Sequence, residues 1–229
     1  LYMKVWKTML AAALAAASLL GLTACGGGIT NDATVYVQGL LGANYKGQIS
    51  QEYIDVVEDM TQEQAEADHA NNLEMEGDYL LTYLAVEMPT DAVTQRAQEL
   101  VDEIYSHAQY TVADAEQLSG GDIVVEVTIS PIEIMPQVTG EFMQETWDAV
   151  LSENGITTQE QLDAQFQAMD EQYAMALMDE VERLIPELTY GTDQVVMLQL
   201  KEEDGYYSLV DSGLQKLDEI MIDYYGAYV

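Results

Sequence analysis

Cys25 is the only cysteine in this chain of 229 residues, and no other feature constrains the fold as strongly. With one thiol no intrachain disulfide can form, so the body must hold together by burying apolar surface. The composition permits that, at 48% hydrophobic residues, well above the level of chains that stay disordered. The charge is lopsided, with 41 acidic residues against seven basic ones. All the acids follow Cys25, while Lys4 and Lys7 precede it. A body this acidic excludes nucleic acid as a partner, because phosphate binding needs cationic patches. It also argues against an electrostatic grip on anionic lipid headgroups. Repulsion that keeps the protein soluble is the plain reading of the acidity, and a preference for cations or a basic partner is the specific one.

The first 24 residues have the zones of a secretion signal. Met3 reads as the start; Lys4 and Lys7 supply a positive end, and Thr8 to Leu22 is uncharged and mostly Ala and Leu. That apolar run is too short to span a ~30 Å hydrocarbon core comfortably, and no stop-transfer pattern follows. Leu22-Thr23-Ala24-Cys25 resembles the lipobox of bacterial lipoproteins. The resemblance implies that Cys25 is the lipid attachment site. Its thiol takes a diacylglycerol, and two or more acyl chains, palmitate among them, give stable anchoring where one would not. Residues 25–31, beginning Cys25-Gly26-Gly27-Gly28, then read as a tether reaching only about 20 Å when extended. Residues 32–229 read as one domain lying close to the membrane surface.

The body alternates between helical and strand signals. Asp32 is expected to cap a short helix carrying Val37, Leu40 and Leu41 and stopped by Gly47. Ser50 opens another over Tyr53, Val56, Val57 and Met60. Thr61 with Gln64 forms a capping box for a long helix running towards Val86, closed by Pro89. Thr90 or Asp91 caps the next, whose Val93, Ala97, Leu100, Val101 and Ile104 share one face. Gln109 to Glu116 reads as a weak strand before the Gly120-Gly121-Asp122 turn. Ile123, Val125, Val127 and Ile129 then alternate with Val124, Glu126, Thr128 and Ser130, a half-buried strand that ends or meets an edge at Pro131.

Helices resume near Val138. One carries Phe142, Trp147, Val150 and Leu151; the next, opened by Thr158 with Gln161, carries Leu162, Phe166, Met169, Tyr173, Leu177 and Leu184. Val195 to Leu200 is an apolar strand, turning at Glu202-Glu203-Asp204-Gly205 into Tyr206 to Val210. Asp211 or Ser212 caps a last helix bearing Leu214, Leu217 and Met221. The fold class is α+β: a four-stranded, mostly antiparallel sheet made of two β-hairpins, covered on one side by several helices.

Three stretches resemble a set of uncharacterised gut Firmicutes lipoproteins grouped as a domain of unknown function, the DUF5105-like set. They are the lipobox, Asp32-Ala33-Thr34-Val35-Tyr36-Val37-Gln38-Gly39-Leu40-Leu41, and Asp204-Gly205-Tyr206-Tyr207-Ser208; Ile104-Tyr105-Ser106 before Tyr110-Thr111-Val112 adds to it. The resemblance implies an anchored extracytoplasmic protein and transfers no catalytic residues.

Chemistry is sparsely signalled. There is no Gly-x-Ser-x-Gly elbow, no His-Glu-x-x-His and no phosphate-cradling loop before a helix. No catalytic residue, metal ligand or cofactor is therefore assigned. Glu99, Glu103 and His107 fall at metal-like helical spacing, but a solvated face is the better reading, with Arg96 expected to pair with Glu99. Glu202-Glu203-Asp204-Gly205 lacks the spacing of a calcium loop. The candidate site is a polar stripe of His69, Asn72, Glu76 and Tyr83 on the long helix, beside Leu73, Leu80 and Leu84, with Tyr79 at its edge. Function follows as an expectation: a membrane-anchored, non-enzymatic binding or interaction module whose protein or small-molecule partner is unknown. The alternatives are a cell-envelope enzyme using paired carboxylates and a chaperone for exported proteins. A pocket with two facing acids favours the enzyme, a broad apolar groove favours the chaperone, and a filled core with neither favours the interaction module.

Overall fold

The computed structural model describes residues 28–203 and 206–229. The signal at 1–24, Cys25, Gly26 and Gly27 lie outside them, as do Asp204 and Gly205; Ile29 to Asn31, expected in the tether, are the first turn of a helix. Among the described residues there are seven α-helices: α1 (Ile29–Lys46), α2 (Gln51–Val56), α3 (Gln62–Tyr83), α4 (Asp91–Ser106), α5 (Gly140–Glu153), α6 (Gln159–Leu184) and α7 (Asp211–Met221). The strands are β1 (Gln109–Val112), β2 (Glu116–Gln117), β3 (Ile123–Ser130), β4 (Ile132–Glu133), β5 (Thr189–Tyr190), β6 (Gln194–Glu203) and β7 (Tyr206–Leu209).

Most helix starts are set by side chains that accept the orphan first-turn N–H groups. Ser50, Thr90 and Thr139 accept from the backbone three residues on. Thr61 with Gln64 and Thr158 with Gln161 close reciprocal capping boxes on α3 and α6. Two starts differ from expectation. Helix α1 begins at Ile29, with Gly28 at the cap position and no side-chain cap bond. Asp32 lies inside the first turn, where a carboxylate complements the positive end of the helix dipole without capping it. Helix α7 likewise starts at Asp211, behind Val210 and with no side-chain cap bond; the Val210 N–H goes instead to the Gln199 carbonyl at 2.9 Å. Helix α3 stops at Tyr83, short of Val86. Its end is folded back by bonds from Ala85 N to Thr82 O and Val86 N to Leu81 O, which place Ala85 at φ 59°.

The main sheet has the order β1-β3-β6-β7, every pairing antiparallel, with β2 also on β3. Strands β1 and β3 make one hairpin and β6 and β7 the other; the hairpins join through β3 and β6, with Val125 opposite Leu198 and Val127 opposite Val196. Strand β3 is thus central, and Pro131 falls just beyond its end. Period-two alternation decides which face is covered. Ile123, Val125, Val127 and Ile129 are buried beneath the helices, together with Val196, Leu198 and Leu200. Val195 and Met197 look outward and stay more than half exposed, at 59% and 53%.

A second, two-stranded sheet pairs β4 with β5. It positions the C-terminus: Ile132 bridges Ile222, the Asp223 N–H donates to the Ile132 carbonyl at 3.0 Å, and the Thr192 N–H donates to the Tyr228 carbonyl at 2.7 Å. One apolar cluster runs from Ala33 on α1 to Tyr224 in the tail. Helix α1 and the C-terminal tail are therefore packed into the same core.

Candidate functional site

The four stripe residues share a flank of α3 but divide into different tasks. Helix α1 ends at Gly47, leaving its last carbonyls without intrahelical donors. Backbone bonds from Gly47 and Gln48 satisfy Ala43 and Gly42. The Asn44 carbonyl is taken by α3, with Asn72 Nδ2 donating at 3.2 Å and His69 Nδ1 at the same distance. His69 Nε2 lies 3.7 Å from Asp102. Two of the four residues thus fasten α1 to α3. Tyr83 donates to the Met135 carbonyl at 3.2 Å and packs its ring on Tyr224 and Tyr225. Of the four, it is Glu76 that lines the cavity between α3, α7 and the tail.

That cavity, of about 110 Å³, lies between α3, α7 and the C-terminal tail. Its chemistry comes from Glu76 and Tyr79 on α3, Asp218 and Glu219 on α7, and Asp223, Tyr224, Tyr225 and Tyr228 in the tail. Glu76 is 6% exposed. It reaches this position because it falls between Leu73 and Leu80 on the stripe of α3 that faces the core. Asp218 is placed in the same way. Leu214, Leu217, Asp218 and Met221 occupy i, i+3, i+4 and i+7 of α7, and its carboxyl turns inward onto Tyr45, whose hydroxyl donates to Oδ1 at 2.7 Å. That bond links α1 to α7.

Electrostatics follow from the enclosure. Burial, and then the neighbouring Asp218 charge, push Glu76 up to about 8, against the opposing effect of a hydrogen bond from Tyr105. Burial likewise pushes Asp218 up to about 7; Tyr45's hydrogen bond works against it and the Glu219 charge with it. Tyr45 and Tyr105 are themselves raised well above the usual phenol value, chiefly by burial, so both stay protonated donors. The tail is clamped by a third acid. Burial alone would raise Asp223, but bonds from the Ala227, Tyr228 and Tyr225 amides and from Glu133 overcome it and hold the carboxyl below its ordinary value. Glu133 shifts the other way, raised by burial and by Asp223.

The aromatic walls are ordered by edge contacts. Tyr79 meets Tyr224 at 4.7 Å with perpendicular rings, and its hydroxyl lies 3.2 Å from that of Tyr225. None of the described lining residues is cationic. Lys216, next to them, is engaged by Tyr228 at 3.3 Å and Glu219 at 3.7 Å.

The other places marked in the sequence resolve differently. Arg96 pairs with Glu182 of α6 at 2.5 Å, not with Glu99, which accepts from Gln95 at 2.8 Å. The contact between α4 and α6 brings in an acid that helical spacing alone does not reveal. Among the described residues no group of three His, Cys, Asp or Glu side chains is gathered as a metal site. A second hollow, between α5 and α6, is lined by Met143, Trp147, Leu162, Phe166 and Tyr173. There the buried Asp170 accepts the Glu87 and Met88 amides at 2.9 and 2.5 Å.

A helix-covered antiparallel sheet with an acid-and-tyrosine cavity between its long helix and its tail is thus the class of structure the chain forms. No family model matches it, and no curated protein matches it in sequence. A solved structure of a candidate lipoprotein (ycdA) from Bacillus subtilis does share the fold, with a TM-score of 0.56 at 12% identity. The match covers 84% of this chain and 56% of that one, so this chain spans just over half the length of its structural neighbour.

Proposed function

We propose that this protein is a lipid-anchored, extracytoplasmic binding module, not an enzyme, and that the cavity between α3, α7 and the tail is its ligand site. The observation that carries the reading is one tyrosine-walled cavity lined by the buried carboxyl of Glu76 and the half-buried carboxyl of Asp218. Taking such groups out of water is costly, and a fold that retains them has a use for them. The address rests on the lipobox at Cys25, on the likeness to the DUF5105-like lipoproteins, and on a fold shared with a candidate lipoprotein. No helix among the described residues is long and apolar enough to cross a membrane.

Two acids on one cavity also favour a second reading, a carboxylate enzyme of the cell envelope. Size separates the two. A sugar chain needs an extended open cleft, whereas this cavity is about 110 Å³, small even against the about 300–1,000 Å³ of most small-molecule pockets. A small ligand held whole fits better than a polymer being cut. A fragment screen followed by amide NMR tests the site: hits should move Glu76, Tyr79 and Tyr224 to Tyr228. Hits confined to the Trp147–Phe166 hollow would move the function there. Glycan hydrolysis abolished by Glu76→Gln would establish the enzyme instead. For the anchor, Cys25→Ala should lose all incorporation of a clickable fatty acid; label persisting on the variant would refute it.

A further inference from the structure

Resting on the reading of this cavity as the ligand site, we infer that its ligand is a small organic cation, a protonated or quaternary amine head of a few heavy atoms. Four acids line the cavity, Glu76, Asp218, Glu219 and Asp223, and no described lining residue is cationic. Two of them are already engaged: Asp223 by the tail amides and Glu219 by Lys216. Glu76, more than nine-tenths buried, has the Tyr105 hydroxyl as its donor, and Asp218 has Tyr45. An ionised carboxylate has about four acceptor sites, so both retain acceptor capacity towards the cavity. A positive ligand would balance their charge, by electrostatics alone if quaternary and by N–H donation as well if protonated.

The walls suit such a head. Tyr79 and Tyr224 stand perpendicular at 4.7 Å, and ring faces attract cations within about 6 Å. Tyr225 and Tyr228 complete the wall. A bare metal ion is the poorer candidate, since no group of three ligating side chains converges among the described residues. Size sets the upper limit. A ~150 Å³ cavity holds a benzene, so about 110 Å³ takes roughly four or five heavy atoms, the scale of a tetramethylammonium group.

The same geometry ties binding to protons. Tyr45 from α1, Tyr105 from α4, Tyr79 from α3, Glu219 from α7 and Tyr224 from the tail surround the two acids. The tyrosines among them for which burial raises the hydroxyl keep their protons at neutral pH. Glu76 and Asp218 are the groups that titrate there. A cation favours their ionised form, so it expels protons and binds more tightly as pH rises from 6 to 8.5.

Titration calorimetry on the purified full chain at pH 8, with tetramethylammonium chloride as the probe, tests this. Tert-butanol serves as the neutral comparator of similar size, and sodium chloride controls for ionic strength. The expected result is saturable one-to-one binding, at least about tenfold tighter than that of tert-butanol, with protons released into the buffer. Binding should weaken at least about tenfold in Glu76→Gln and in Asp218→Asn, as loss of a facing charge in a partly desolvated site does. Tyr225, 51% exposed, can lose its ring without emptying the core, so Tyr225→Ala should weaken the cation even if the acid variants fail to fold. Equal binding of both probes, lost in Tyr225→Ala, would overturn the cation inference and leave the cavity as a ligand site. Cation binding unchanged in all the variants, or absent from the parent, would overturn the inference outright.

Discussion

Replacing Glu76 with Gln should make the protein more stable at neutral pH and leave it little changed in acid. The sign follows from the raised value. In the unfolded chain Glu76 ionises near 4.5, while in the fold burial holds it to about 8. Between those values the folded state binds a proton that the unfolded state has released, so stability falls as pH rises. Each pH unit in that window costs about 1.4 kcal/mol, which puts the penalty at about 4 kcal/mol by pH 7.5, and near zero at pH 4.5. Gln retains an oxygen that accepts from Tyr105 and carries no charge to desolvate, though its buried amide needs a partner at a cost of about 1 kcal/mol. The variant should therefore gain about 2–4 kcal/mol relative to the parent between pH 4.5 and 7.5. Urea unfolding followed by the fluorescence of Trp147, which packs against Tyr173 and Phe166, reads this out. A difference independent of pH, or a loss of stability at pH 7.5, would refute the buried-acid account.

Two further predictions test the backbone that supports the site. Ala85 is exposed and holds φ 59° at the end of α3, a conformation that costs a residue with a Cβ about 1–2 kcal/mol. Ala85→Gly should therefore stabilise the protein by about 1 kcal/mol, after the entropy that Gly loses, and a lower urea midpoint would contradict the geometry. Gly39 has the opposite role: a Cβ there would come within 2.4 Å of the buried Tyr53 ring. Gly39→Ala should cost about 1–3 kcal/mol through overpacking between α1 and α2, and an unchanged thermal midpoint would show that the helices are not so closely docked.

Much of the fold was legible because its signals are local. Thr61 with Gln64 and Thr158 with Gln161 announce their helices within four residues, and the alternation from Ile123 to Ser130 states which strand face is buried. The joining of β3 to β6, the small β4–β5 sheet and the salt bridge from Arg96 to Glu182 depend on contacts distant in sequence, which no periodicity records. The site was half legible. Glu76 stood out as a polar residue on the long helix, yet its companions in the stripe turned out to fasten α1 and to pack the tail. Asp218 was missed although a usable signal was present. It interrupts the apolar stripe of Leu214, Leu217 and Met221, just as Glu76 interrupts that of Leu73 and Leu80. An acid at a core-facing position of an amphipathic helix is either paired or functional, and two such helices in one chain are reason to look for a shared cavity. The tail tyrosines carried no such mark, since contacts distant in sequence, the Ile132–Ile222 bridge and the Thr192–Tyr228 bond among them, bring them to α3.

The central claim is that Glu76 and Asp218 are enclosed together on one cavity, and carbon-detected NMR titration of their side-chain carboxyls tests it most directly. The account predicts midpoints near 8 for Glu76 and near 7 for Asp218, each moving down in Tyr79→Ala as water reaches the cavity. Both carboxyls titrating below pH 5, as solvated acids do, would contradict it.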